Sequence, residues 1–193
     1  MLDERFIYLA ALVNLLGSLS YVISTLKGKT KPNKVTWFLW AILPFIAFFA
    51  EIKKSVGLPS LMTFMVGFSP LCIFIASFFN KKAHWKITRL DIICGILAIA
   101  GLFFWYLTRD GNVAILFSIV ADLFAGVPTI VKSYIYPETE NIHAFLAAGV
   151  SALLTLFVLK SWTFASYGFP LYIFLISSLV VILLQIRKQK AYR

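Results

Sequence analysis

The sequence predicts an all-α membrane protein of seven transmembrane helices, and three observations predict it. Of the 193 residues, 61% are hydrophobic and only 13% are charged, against about 45–50% and about 25% in soluble domains. The mean hydropathy is +0.89, so too few polar side chains remain to cover a water-facing surface. The apolar residues also fall into runs separated by clusters of Lys and Arg, which produce a net charge of +10. The low charge content excludes a disordered chain. Cations placed between apolar runs mark membrane topology rather than a nucleic-acid surface.

A bilayer core of about 30 Å takes about 20 helical residues at about 1.5 Å each. The first run, 6–26, follows the acidic Asp3-Glu4 and has no small-residue cleavage site, so it reads as a retained span. The second, 35–50, carries Trp37, Trp40 and Pro44. Trp37 reads as part of an interfacial aromatic belt, whereas the deeper Trp40 offers a flat face to a ring-bearing solute. The third, 58–79, contains Pro70 and Cys72, and the fourth, 90–107, contains Cys94. Neither cysteine has metal-ligand spacing, so both read as small core residues. The fifth, 113–131, holds Asp122, Pro128 and Thr129. The sixth, 143–159, carries Ala147, Ser151 and Thr155 as a small-residue packing stripe. The seventh, 163–186, contains no lysine for a retinal Schiff base and runs into a basic tail, 187–193.

Arg5, Lys53, Lys54, Arg109 and Lys160 fall at the N-terminus and in the even-numbered loops; the other thirteen of eighteen basic residues fall in the odd-numbered loops and the tail. Positive loops stay cytoplasmic. The expected protein is therefore multi-pass in the cell (inner or plasma) membrane, with its N-terminus outside and its C-terminus inside.

An internal repeat runs through the spans. Asn14, Ser18 and Thr25 share one face of the first helix, and Ser118, Asp122 and Thr129 have the same spacing in the fifth. Both helices lead to a turn with a proline, Pro32 and Pro137, five residues after Lys27 and Lys132. Gly57-Leu58-Pro59 and Gly168-Phe169-Pro170 then mark the third helix of each set. The expected organisation is a single membrane domain: a three-helix repeat at 6–79, a linker helix at 90–107 and a second repeat at 113–186. An odd number of spans inverts the chain, and the linker restores its direction, so the two repeats run parallel.

This 3+1+3 arrangement, the N-out topology and the segment 22–37 resemble the SWEET/SemiSWEET and PQ-loop superfamily. In that family a Pro-Gln pair or a lone proline ends the first helix of each repeat. Val127-Pro128-Thr129 matches the proline without the Gln, and Ser24-Thr25 holds neither; Pro44 and Pro128 match two of the four helix prolines that SWEETs tend to carry. The resemblance implies transport between two three-helix units.

Asp122 is the sharpest candidate for chemistry. About ten residues into its helix, it lies roughly 15 Å deep, where a charge costs about 2.5–3.5 kcal/mol on insertion scales. It should face the bundle interior, neutral or hydrogen-bonded, with Asn14 or Ser18 as partner. Its role is solute binding or proton coupling, or it ties helices together. Asn14, Ser18, Trp40, Asp122 and Thr129 form the expected substrate wall, and Pro44, Pro70 and Pro128 are hinge candidates.

His84 and His143 are isolated, and no metal, cofactor or catalytic motif is present in the sequence. Lys81, Lys82, Lys86 and Arg89 form a basic loop suited to anionic headgroups. The leading expectation is a non-enzymatic transporter of a small polar solute, sugar- or vitamin-like, with membrane lipid as its surroundings and a homo-oligomer left open. A heptahelical PQ-loop-type receptor, or a membrane subunit acting on a partner or on lipid, are the alternatives.

Overall fold

The computed structural model describes residues 2–79, 86–108 and 110–191. These form α1 (Phe6–Leu26), α2 (Lys34–Lys53), α3 (Ser60–Ala76), α4 (Arg89–Thr108), α5 (Gly111–Ile135), α6 (Ile142–Val158) and α7 (Phe164–Ala191), with a 3-10 turn at Pro137–Thr139. Lys81, Lys82, His84, Arg109 and Arg193 lie outside the described residues, as do the side chains of Lys188 and Lys190.

The helix ends have local causes. Asn33 caps α2 by accepting from Val35 N and Thr36 N at 3.1 and 3.3 Å, and Asn141 caps α6 by accepting from His143 N at 2.9 Å. Asp110 caps α5 through Asn112 N and Val113 N. Each side-chain oxygen satisfies backbone donors that a helix start leaves bare. Gly28, at φ 70°, ends α1 in the left-handed conformation that suits glycine at a helix C-terminus.

Helices α1, α2 and α5, together with Phe164–Arg187 of α7, are long and apolar enough to cross a bilayer. Ser60–Ala76 and Ile142–Val158 are apolar but shorter; at 17 residues each, they reach about 26 Å. The first expected span coincides with α1, and the others shift by a few residues at their ends. One shift matters: α5 continues past residue 131, so Lys132 is a buried helix residue and not the loop cation expected.

Polarity is reversed relative to a soluble protein. Helix α1 buries Asn14, Gly17, Ser18 and Thr25 and turns Leu9, Leu12, Leu16, Leu19 and Ile23 outward. Small and polar residues let helices approach and hydrogen-bond, while large aliphatic ones suit lipid. The fold is that of a helical, membrane-embedded protein.

The helices pair in a regular way. Helix α3 packs against both α1 and α2, and α7 against both α5 and α6. Across the middle, α1 meets α6 and α2 meets α5, while α4 lies against α5 and α2. Gly17 makes the α1–α6 approach so close that an added Cβ would sit 2.2 Å from that of Ala147. Ser151 and Thr155, the rest of the expected stripe on α6, are fully buried. Two α2 side chains hydrogen-bond to carbonyls of α5: Thr36 Oγ1 to Ala125 at 2.7 Å and Trp40 Nε1 to Asp122 at 3.1 Å. Asn33 Nδ2 donates to the buried Asp91, tying the start of α4 to the start of α2.

Candidate functional site

Where the four helices of the central crossing meet α3 and α7, they leave a cavity of about 70 Å³. Its polar lining comes from Asn14 and Ser18 on α1, Ser69 on α3, Asp122 on α5 and Ser177 on α7. Its aromatic side is Trp37 and Trp40 from α2 with Phe145 from α6. These rings meet one another at centroid distances of 5.3 to 6.3 Å. Among the described residues, none from α4 lines the cavity.

The periodicity of α1 explains one wall, since Asn14 and Ser18 lie one turn apart on its buried face. The rings lie at matching places on the chain, because Trp40 follows Pro32 by the same step as Phe145 follows Pro137. Pro44 and Pro70 carry no N–H, which removes the helical donor from the carbonyls of Trp40 and Val66. Both of those residues line the cavity.

Asp122 is buried at 2% exposure. Its Oδ2 accepts from the Tyr172 hydroxyl at 2.7 Å, while its Oδ1 has no hydrogen-bond partner among the described residues. The expected partners on α1 are bonded elsewhere. Asn14 Oδ1 accepts from Ser69 Oγ at 2.6 Å, and Ser18 Oγ donates to the Leu15 carbonyl at 2.9 Å. Asp122 therefore ties α5 to α7 rather than to α1.

Of the five expected wall residues, Asn14, Ser18, Trp40 and Asp122 line the cavity, and Thr129 does not. Thr129 is fully buried on α5, two turns beyond Asp122. Pro44, Pro70 and Pro128 all lie within helices and are buried, and Pro70 alone of the three lines the cavity. Trp37 is not an interfacial residue: it is 3% exposed and packs against Tyr21 at 4.7 Å between ring centroids. Position near a helix end suggested an interface, but the ring turns inward.

The end of the bundle that carries the α1–α2 and α5–α6 turns holds a buried polar network. Lys132 Nζ and Glu140 Oε1 form a 2.6 Å ion pair with both side chains fully buried. Lys132 also donates to the Lys31 carbonyl. Tyr21 OH donates to Glu140 Oε2 at 2.7 Å, and Asn141 Nδ2 reaches Ser20 and Ser24 at 3.1 and 3.0 Å. The network joins α1 and its following turn to α5 and the start of α6.

Sequence reasoning missed Tyr172, Ser69, Phe145 and Ser177, as well as other buried acids, Glu51 among them. Glu51, placed past the expected second span, lies inside α2 at 1% exposure and accepts from Thr63 Oγ1 at 2.9 Å. The step from Pro137 was the available signal for Phe145; the other three depend on which face of α3 and α7 turns inward. Comparison with protein-family models, curated proteins and solved structures finds no match.

Proposed function

We propose that this chain is a multi-pass membrane carrier that moves a small polar solute, sugar- or vitamin-like, by alternating access. In this reading seven spans form two parallel three-helix units, 6–79 and 113–186, joined by the linker helix. One observation carries the proposal: the cavity lies where the two units meet, and equivalent positions from both supply its walls. Ser18 faces it from the first unit and Asp122, at the matching step, from the second; Trp40 and Phe145 are paired likewise. So are Val66 and Ser177, equally far along the chain from Gly57 and Gly168.

The helix pairing supports the same reading. Exchanging α1, α2 and α3 for α5, α6 and α7 converts the α1–α6 contact into the α2–α5 contact and leaves the pairing among these six helices unchanged. Substrate sites at a repeat interface near the midplane are how such carriers work, with one unit rocking against the other. Ligand pockets are commonly about 300–1,000 Å³, so the cavity of about 70 Å³ is small for a solute. Admission of a solute requires the units to move, with Pro44, Pro70 and Pro128 as the hinge candidates.

Solute uptake into proteoliposomes, across a panel of sugars, amino acids, vitamins and amines, tests the proposal. Uptake of one class that saturates and is lost on Trp40→Ala supports it. A folded, reconstituted protein that moves none of the panel overturns it in favour of a heptahelical receptor or a membrane subunit.

A further inference from the structure

The electrostatics of the cavity narrow the solute class. Among the described residues that line it, Asp122 is the single ionisable one, and no lysine, arginine or histidine joins it. One carboxylate oxygen is bonded to Tyr172 and the other has no partner among the described residues. The neighbouring hydroxyls of Ser18 and Ser69 donate elsewhere, and the indole N–H of Trp37 has no hydrogen-bond partner among the described residues. Asp122 is thus the one carboxyl among the described lining residues, set in a wall of small polar groups, and the opposite wall is aromatic. A carboxylate beside aromatic faces is an environment that favours a cation and disfavours an anion.

A buried carboxylate also demands one compensating positive charge at all times, since an unpaired charge away from water is costly. With no basic side chain among the described lining residues, that charge comes from a proton or from the solute.

We propose that the Asp122 cavity binds a small organic ammonium ion, which takes the place of a proton carried by Asp122 when the site is otherwise empty. On binding, the O–H bond of the Asp122 carboxyl breaks and the proton leaves to water. The ammonium charge then faces the carboxylate, and the site stays neutral overall. Where the chain acts as a carrier, a point that rests on the preceding section, the exchange is one monocation against one proton.

Tyr172 on α7 is the titratable group in contact with Asp122. The described lining residues from α1, α2, α3 and α6 carry no ionisable side chain. Other buried carboxyl, phenol and ammonium groups on the surrounding helices have separate partners: Glu51 on α2 with Thr63, Asp91 on α4 with Asn33 and Thr88, and Tyr21 on α1 with the Lys132–Glu140 pair. One exchangeable proton is therefore expected at this site.

Calorimetry on the purified full chain tests this with methylammonium, choline and the uncharged choline analogue in which carbon replaces nitrogen. The expected result is binding of both cations with release of about one proton. Affinity should fall about tenfold per pH unit on acidification wherever the empty site is protonated. Asp122→Asn should weaken cation binding about ten- to hundredfold. Trp40→Leu and Phe145→Leu, which leave the charge in place, should weaken choline about three- to thirtyfold and its analogue much less.

Equal binding of choline and its carbon analogue overturns the proposal, as does binding independent of pH or undiminished in the Asn variant. Should that variant fail to fold, the two aromatic variants decide, and equal weakening of both ligands counts against it. The two readings fail separately. Flux of neutral solutes only, with no ammonium binding, keeps the carrier and removes the ammonium site. Ammonium binding without flux does the reverse.

Discussion

Removing the charge of Glu140 while keeping its shape should expose how much the buried network holds together. Lys132 and Glu140 are 2.6 Å apart with neither side chain exposed. Glu140→Gln leaves the lysine ammonium buried beside a neutral amide. Breaking a buried pair by neutralising one partner costs about 3–5 kcal/mol. The lower end applies here, because Lys132 retains the Lys31 carbonyl and a glutamine oxygen still accepts from Tyr21 OH. With about 3 kcal/mol lost, and about 2–4 °C per kcal/mol for a chain of this size, the melting temperature in detergent should fall by about 6–12 °C. Lys132→Met combined with Glu140→Gln removes the stranded charge and should recover at least half of that loss, since apolar replacement of an entire buried pair is often neutral. A Glu140→Gln protein within about 1 °C of the parent, or a double variant less stable than the single one, would refute the reasoning.

Three further outcomes are expected. Gly17→Ala should lower thermal stability by about 1–3 kcal/mol through overpacking, because its new Cβ would lie 2.2 Å from that of Ala147; adding Ala147→Gly should restore most of it, and a variant as stable as the parent would contradict the close α1–α6 approach. Asp110, capping α5 through two backbone donors that hold its carboxyl below its ordinary value of 3.8, should contribute stability that is complete above that value and lost as pH falls through the lower folded one. Melting curves should show this acid-side loss in the parent and lack it in Asp110→Asn, which keeps the cap without the charge; parallel acid profiles would remove the assignment. For topology, a cysteine at Lys29 or Lys190 should resist impermeant thiol reagents in intact cells while one at Lys160 reacts, and the opposite labelling would reverse the expected orientation.

What the sequence determined by itself follows from quantities that add up along the chain. Apolar content and run length identify lipid as the solvent and place seven helices within a few residues of their ends, because each depends on nearest neighbours and on 3.6-residue periodicity. The inward face of α1 was legible for the same reason: Asn14 and Ser18 stand among large aliphatic residues that favour lipid. Asp122 had to point inward, since a carboxyl facing lipid is too costly at that depth.

Which inward faces meet was decided only by the tertiary structure. Asp122 meets Tyr172 rather than α1, Trp37 packs on Tyr21 instead of the interface, and Thr129 ends up away from the cavity although it shares the α5 pattern. Lys132, read as a topology signal, is paired with a glutamate from the following turn. Each outcome depends on the rotation of one helix against another at separations of a few ångströms. That rotation is set by close contacts such as Gly17 on Ala147 and by hydrogen bonds between segments distant in sequence, such as Thr36 to the Ala125 carbonyl. Periodicity along a single helix carries no information about its partner, so charge pairing and cavity walls emerge only when the helices are packed.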